Sequence, residues 1–475
     1  MAESQADSAE NPIIDCKDEE EIEVGDDPEK LKNRAMIEAN NDFAAKLMRE
    51  FLGTESLCIS PISISFVLAM SLAGAMGETE AEILKLLGKG CCLEEIESFF
   101  AEIKELFQQL CERNILHDAN RIYYDTRLKL LDTYKEKVTR LYGEDAFELL
   151  DFKDSDGTVK KINSFVEDIT KGKLKNVISA DHVAKNCVIL LNALDFQGKW
   201  ERQFYAHSNV IKEFHLLNGT TKKTIMMTRN RSNYFRDRTT YSYTTASQYF
   251  YCENDEMQRI CLRYKNGYLK EDGELDSEKN LRNQTNVGEV STYIFLPRAR
   301  KGLPKLVENL DGEKLLKWLR MKPLENYRQE EPSVCDIVYE VDLFFPKFTI
   351  NCDVKLKDTL EKIGLKHYFT CNADFSAISE TPLYATYFIH KTFIQTDELG
   401  TKASAATYAC LRERSRGHSP EIPVKVIKKE FHADRPFLYA VVSRKQHVIF
   451  MGTVMDVEEK SESDLRKRKW PDTRE

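Results

Sequence analysis

The 475-residue chain is short of the residues that loosen a backbone. It has 20 glycines and 13 prolines, a little over half of the ordinary usage of about 7% and 5%. No stretch rich in Pro, Gly and Ser separates one part from another, and no internal repeat occurs. A chain of this length can bury a large core, as one large domain or two to three ordinary ones. A surplus of positive charge is also lacking: 69 Lys and Arg face 78 Asp and Glu, a net charge of −9. Residues 1–30 hold 12 acids and 2 bases, so the remaining body is nearly neutral. That argues against a nucleic-acid surface, and it marks residues 1–30 as an acidic tail expected to be disordered. The opposite terminus carries Arg466-Lys467-Arg468-Lys469. A solvated charge run is the better reading there than a nuclear signal.

Signals of compartment and chemistry are sparse too. The N-terminus lacks the basic-then-apolar layout of a secretory signal. Twelve cysteines show no paired C-x-x-C spacing for a metal, and many unpaired thiols suit a reducing cytosol. The adjacency of Cys91 and Cys92 reads as chance. Sequons beginning at Asn218, Asn230 and Asn283 are about as many as chance supplies. No Gly-x-Ser-x-Gly elbow, HExxH pair or P-loop is present, and the nine histidines are scattered. The chain is expected not to be an enzyme and to need no metal or cofactor. Residues Ser56 to Gly77 carry no charge, but the run contains Pro61 and several serines. Ser60 as cap, Pro61 at the first helical position, and Ile62, Phe66, Met70 and Ala73 on one face describe a buried helix rather than a membrane span.

What is present is mixed α/β patterning. Apolar spacing is helical over 31–52 and 79–112, and again over 353–365, where Leu356, Leu360 and Ile363 share a face. Cys187–Leu194, Tyr293–Leu296 and Val341–Ile350 read as strands. Phe437–Val442 and His447–Val454 read as a hairpin turning at Ser443-Arg444-Lys445-Gln446. Residues 266–290 are polar, as in a surface insertion. The most informative stretch begins at Glu398-Leu399-Gly400. Gly400 admits backbone angles closed to other residues. Beyond it the alternate positions Thr401, Ala403, Ala405, Thr407 and Ala409 are small and uncharged. A strand sends alternate side chains to one face, so this face fits a strand that can slide between two others over a packed core. The opposite face carries Lys402, Ser404, Ala406, Tyr408 and Cys410. Three arginines follow, Arg412, Arg414 and Arg416.

The pattern Glu398-x-Gly400-Thr401-x-Ala403-x-Ala405-Ala406-Thr407 before a basic site resembles the hinge and reactive loop of a serpin. Further serpin-like blocks stand in the right order: Ile59-Ser60-Pro61-Ile62-Ser63, Leu191-Asn192-Ala193-Leu194-Asp195-Phe196-Gln197-Gly198-Lys199-Trp200, Phe345-Pro346-Lys347-Phe348, Ala373-Asp374-Phe375-Ser376, His390-Lys391, Asp434-Arg435-Pro436-Phe437 and Ile449-Phe450-Met451-Gly452. The resemblance spans roughly residues 31–457. It implies an α+β fold as a single domain, with a central mixed sheet, additional sheets, about eight to nine helices and an exposed reactive loop at 397–430. Residues 458–475 are left as a charged tail.

The resemblance also implies an activity. A trypsin-like serine protease attacks the loop and forms a covalent acyl-enzyme. The cut loop then enters the central sheet, and the native fold is metastable until it does. In serpins the bait lies 14 positions beyond the hinge glycine, which points to Arg414-Ser415 as the bond cut, with Arg412 and Arg416 as alternatives. The segment from Ser415 to Phe431 is longer than most serpins show. Lys402 stands where Glu is usual. By the same resemblance Ser60, Ser63, Asn192 and His390 form a hydrogen-bonded cluster where the sheet opens, and Trp200 and Glu398 mark where the loop first enters. No basic helix of the heparin-binding kind is seen; residues 93–107 are acidic. A non-inhibitory serpin and an inhibitor of cysteine proteases remain alternatives. The expected partner is one protease per monomer, with no nucleic acid and no membrane span. The expected place is the cytoplasm, with non-classical secretion and nuclear passage left open.

Overall fold

The uncharged run near the N-terminus becomes the centre of the molecule. In the computed structural model, which describes residues 28–184, 186–228, 251–265, 289–321, 336–401 and 424–467, helix α2 (Pro61–Leu72) is buried at every position. It packs against strands β18 (Val448–Val454) and β5 (Val188–Phe196). The expected one-sided helix is therefore buried all round, as in a helix enclosed by other elements. Pro61 holds the first turn as expected, but the Ser60 side chain makes no capping bond. Its hydroxyl donates instead to the Ile449 carbonyl at 2.6 Å. No helix among the described residues is long and apolar enough to cross a membrane.

Three sheets surround this centre. The first is β1 (Leu57–Ile59), β18, β17 (Phe437–Ser443), β11 (Val290–Pro297), β10 (Met257–Arg263) and β9 (Cys252–Glu253), in that order. The second is β16 (Val424–His432), β12 (Asp336–Pro346), β8 (Thr221–Thr228) and β7 (Val210–His215). The third, the central sheet, has eight strands. Its main path is β4 (Phe147–Leu150), β3 (Arg121–Asp125), β5, β14 (Phe388–Thr396), β15 (Gly400–Thr401) and β6 (Gly198–Lys199). In addition β13 (Phe348–Lys355) pairs with β14, and β2 (Leu116–Asp118) with β5.

Around the sheets stand α1 (Pro28–Phe51), α3 (Gly77–Gly88), α4 (Leu93–Glu112), α5 (Asp132–Tyr142), α6 (Ser155–Ile169), α7 (Ala180–Val183), α8 (Leu303–Glu308), α9 (Gly312–Arg320), α10 (Lys357–Lys362) and α11 (Glu462–Lys467). With α2 this gives eleven α-helices among the described residues; the excess over eight to nine lies in segments of four to six residues. Side chains of α4 at Ile96, Phe99, Phe100, Ile103, Phe107 and Leu110 are buried, the spacing of a helix laid on a core.

Three expected boundaries shift. The helical run 79–112 is two helices, parted where Lys89 and Gly90 take φ of 47° and 104°. The strand Val341–Ile350 is two strands, β12 and β13, because the chain leaves the second sheet for the central one at Lys347. The helix 353–365 shrinks to α10, since residues 353–355 remain paired in β13. The hairpin of β17 and β18 stands at its expected place, closed by Ser443 N donating to His447 O at 3.0 Å. The expected insertion at 266–290 falls almost wholly outside the described residues.

Alternation divides the middle strand. Leu190, Leu194 and Phe196 of β5 face the main core. Ile189, Leu191 and Ala193 face a second apolar cluster with Ile162 and Val166 of α6.

Candidate functional site: the head of a parallel seam

Within the central sheet β5 and β14 run parallel, paired from Phe388 opposite Leu190 to Phe393 opposite Asp195. Parallel pairs are slightly less stable per residue than antiparallel ones. Above Phe393 the strands part, and β15 fills the gap. Thr401 lies opposite Thr396 on one side and Gly198 on the other, and Gly400 lies opposite Lys199. Both new pairings are antiparallel.

The turn that delivers β15 is tied from several sides. Asp397 N donates to the Gly400 carbonyl at 2.8 Å. The Asp397 carboxyl accepts from the amides of Leu399 at 2.9 Å and Gly400 at 3.3 Å. Burial pushes this carboxyl above its ordinary range, against the pull of those two amides. Burial also opposes the charge of Glu398. Lys347, paired with it, and Asn209, donating at 2.5 Å, more than offset that and hold it below its ordinary value. Trp200 clasps the turn twice, by its backbone amide to Leu399 O at 2.9 Å and by Nε1 to Asp397 O at 3.0 Å. Its ring stacks on Tyr264 with centroids 4.6 Å apart.

Two glycines make the approach possible. A Cβ on Gly198 would lie 2.4 Å from the Tyr264 ring. Gly400 has φ of +152°, and a Cβ there would lie 2.0 Å from the Gly198 carbonyl oxygen.

Lower on the seam, facing α2, is a polar chain within apolar surroundings. The Ser60 amide donates to His390 Nε2 at 3.1 Å, so Nε2 is the accepting nitrogen and Nδ1 bears the proton. Nδ1 donates to Asn192 Oδ1. Asn192 Nδ2 then donates to Ser63 Oγ at 2.5 Å. Each residue is fully buried. Burial pushes the His390 imidazole down to about 3, so it is neutral near pH 7. The chain links β5, β14 and the start of α2 across the seam. Asn192 lies opposite His390 across the seam, so the bond between their side chains joins the two strands.

The structure thus brings Ser60, Ser63, Asn192 and His390 into one network. Trp200 stands apart from it, at the turn with Glu398. Gly400 and Thr401 form β15. Ala403, Ala405, Ala406, Thr407, Arg412, Arg414, Ser415 and Arg416 lie outside the described residues. Sequence reasoning missed Asn120, which also donates to Ser63 Oγ at 2.5 Å, and Asp397, Asn209 and the pairing role of Lys347. Lys347 had a signal, its place in Phe345-Pro346-Lys347-Phe348; the others had none. Among the described residues no group of His, Cys, Asp and Glu is arranged to hold a metal.

Comparison with known proteins matches this architecture. The family model described as serpin (serine protease inhibitor) matches residues 38–457. Serpin B10 of Otolemur garnettii is 28% identical over 443 residues, covering 87% of this chain and 97% of its own length. Plasma serine protease inhibitor of Bos taurus is 27% identical over 423 residues, covering 87% and 89%. A crystal structure of maspin shares the fold with a TM-score of 0.69 at 23% identity, over 90% of this chain and 100% of that one. The chain belongs to the serpin family, whose members are generally protease inhibitors rather than enzymes.

Proposed function

We propose that this chain inhibits trypsin-like serine proteases by trapping the acyl-enzyme as its cut loop enters the central sheet. One observation carries the reading: β15 already sits antiparallel between Gly198 and Thr396, at the head of a parallel seam. Continued in that register, the strand would place Ala405 between Leu194 and Thr392, and Thr407 between Asn192 and His390. Small side chains at those positions suit the buried face. The inserted strand would exchange one parallel ladder for two antiparallel ones. At about 1 kcal/mol net per hydrogen bond, a dozen residues supply on the order of 10 kcal/mol, comparable to the stability of a whole domain. The same movement carries a tethered protease about 40 Å at roughly 3.3 Å per residue.

The bait in this reading is Arg414, 14 positions beyond Gly400, and its guanidinium suits a protease pocket with a buried carboxylate. Glu398, Gly400, Thr401, Ala403, Ala405, Ala406 and Thr407 are the hinge, and Ser60, Ser63, Asn192 and His390 are the lock beneath it. The nine cysteines of the described residues are all free, which favours action in a reducing compartment.

The test is to mix the protein with trypsin. A complex that survives SDS, releasing a C-terminal fragment that begins at Ser415, is the expected result. Arg414→Ala should slow trapping at least about 100-fold, because an unpaired carboxylate is left in the protease pocket. A fragment beginning at Glu413 or Gly417 moves the bait to Arg412 or Arg416. Cleavage without any stable complex contradicts the inhibitory reading.

A further inference from the structure

The hairpin that joins β7 to β8, at the edge of the second sheet, holds chemistry that the inhibitory reading does not use. Leu216 N donates to the Thr220 carbonyl at 2.9 Å, and Gly219 N donates to the Leu216 carbonyl at 3.0 Å. Gly219 takes φ of +91°. A three-residue loop ending in a left-handed glycine is a common way to close a hairpin. Asn218, Gly219 and Thr220 are all exposed. The Asn218 carboxamide is folded forward over the Gly219 peptide. Its Oδ1 accepts from Thr220 N at 2.9 Å and from Thr220 Oγ1 at 2.7 Å. Asparagine often bonds the backbone two residues on; here a hydroxyl donates to the same oxygen as well.

Three features meet at the peptide bond between Asn218 and Gly219. Glycine has no side chain to shield its amide nitrogen. The forward fold keeps the carboxamide close to that nitrogen, and a reacting pair held together needs no encounter. Oδ1 is the oxygen that gains negative charge when Cγ is attacked, and it already carries two donors. Donors aimed at the place where charge develops lower the barrier to addition. A cation stands near too: Lys301 Nζ lies 3.9 Å from where a Cβ on Gly219 would be.

We propose that Asn218 is a site of spontaneous covalent modification, its amide converted to an acid by its own backbone and water. Gly219 N gives its proton to water and attacks Asn218 Cγ. The new N–Cγ bond closes a succinimide, the Cγ–Nδ2 bond breaks, and the side-chain nitrogen leaves as ammonia. One water then opens the ring. Breaking the N–Cγ bond yields aspartate; breaking the bond from the nitrogen to the backbone carbonyl carbon yields isoaspartate. Nothing is oxidised or reduced, and water is the only co-reactant. Thr220 is a positioning residue, and Lys301 favours the charge that forms on Oδ1 and on the product. The bond from Gly219 N to Leu216 O opposes the first step, since that proton must leave.

The full-length protein is held at neutral pH and physiological temperature, sampled over time and digested with trypsin. The peptide of residues 213–222 is then read by mass spectrometry for the gain that accompanies conversion of amide to acid. Asn266-Gly267, outside the described residues, falls in another peptide and is counted apart. A free synthetic peptide of residues 213–222 is the reference. Asn218 in the folded protein should convert at least as fast as in that peptide. Thr220→Val in the protein should slow conversion about tenfold, because both the hydroxyl and the fixed fold are weakened, while Thr220→Ser stays within about twofold of the parent. In the free peptide Thr220→Val should change the rate less than about twofold, since no turn is held there. Slower conversion in the protein than in the peptide, or equal rates for parent and Thr220→Val protein, overturns the proposal. Should Thr220→Val disturb the hairpin, the comparison of unmodified protein with free peptide still decides.

Discussion

In the six-stranded sheet every neighbouring pair is antiparallel, and all seven residues of β17 and of β18 are buried. In the eight-stranded sheet the middle pair is parallel, it stops short at Phe393, and Ser60, Ser63, Asn192 and His390 lie beneath it. One sheet is antiparallel throughout, and its buried Arg259 bonds to backbone carbonyls of α9 rather than across a strand pair. The other has a seam, a two-residue strand seated at its head, and polar groups where a fixed core would have aliphatic ones. A sheet meant only to stay closed gains nothing from that polar layer. On the proposed insertion reading, the contrast separates a scaffold from a part that moves.

The contrast can be broken most sharply with a charge on the inserting face. Ala405→Arg would bury an unpaired guanidinium between Leu194 and Thr392, which costs several kcal/mol. Protease trapping should be lost and the variant cleaved as a substrate, while Lys402→Arg on the opposite face traps normally. Trypsin complexes on SDS gels read this directly. The scaffold sheet should behave differently. Phe295 of β11 is fully buried, and Phe295→Ala should remove about 3–5 kcal/mol from the intact and the loop-cleaved protein alike, as denaturant titration would show.

The polar layer gives the next effect, a dependence on pH. His390 is neutral in the folded protein down to about pH 3, but in the unfolded chain it protonates near 6.5. Its folded value is depressed, so its contribution is complete above about pH 6.5 and is lost as pH falls toward 3. Between pH 7 and 5 the loss is about 2 kcal/mol. His390→Gln should flatten that part of the stability profile; an unchanged profile would mean that His390 is not the group responsible. Asn120→Ala should have the smallest effect, about 1 kcal/mol for one donated hydrogen bond to Ser63, measurable as a shift of the denaturation midpoint.

Sequence revealed these two regions unequally. The hairpin of β17 and β18 was legible because Phe437–Val442 and His447–Val454 are apolar runs flanking a polar turn. Gly400 was singled out because a glycine followed by small residues fits few other uses, and the structure seats it with Thr401 in β15. The break at Lys347 was overlooked because apolar residues continue on both sides of it, although the alternating apolar positions change there from 341, 343 and 345 to 348 and 350. The parting of α3 from α4 was written in Gly90 but masked by apolar spacing that resumes with Leu93 and Ile96. Ser60 looked like a cap because Pro61 follows it; its hydroxyl is taken by Ile449, nearly 400 positions on, a contact no local pattern encodes. The contacts of Asn120 with Ser63 and of His117 with Asp195 depend on strand register across long sequence separation, which pairing alone decides.

The central claim is that the seam is an unfilled place in an otherwise finished sheet. Cutting the loop once, with a protease that does not remain bound, and comparing thermal midpoints of cut and intact protein tests it most directly. Filling the seam should add on the order of 10 kcal/mol, raising the midpoint by on the order of 10 °C. A midpoint that stays the same or falls after complete cleavage would contradict the account.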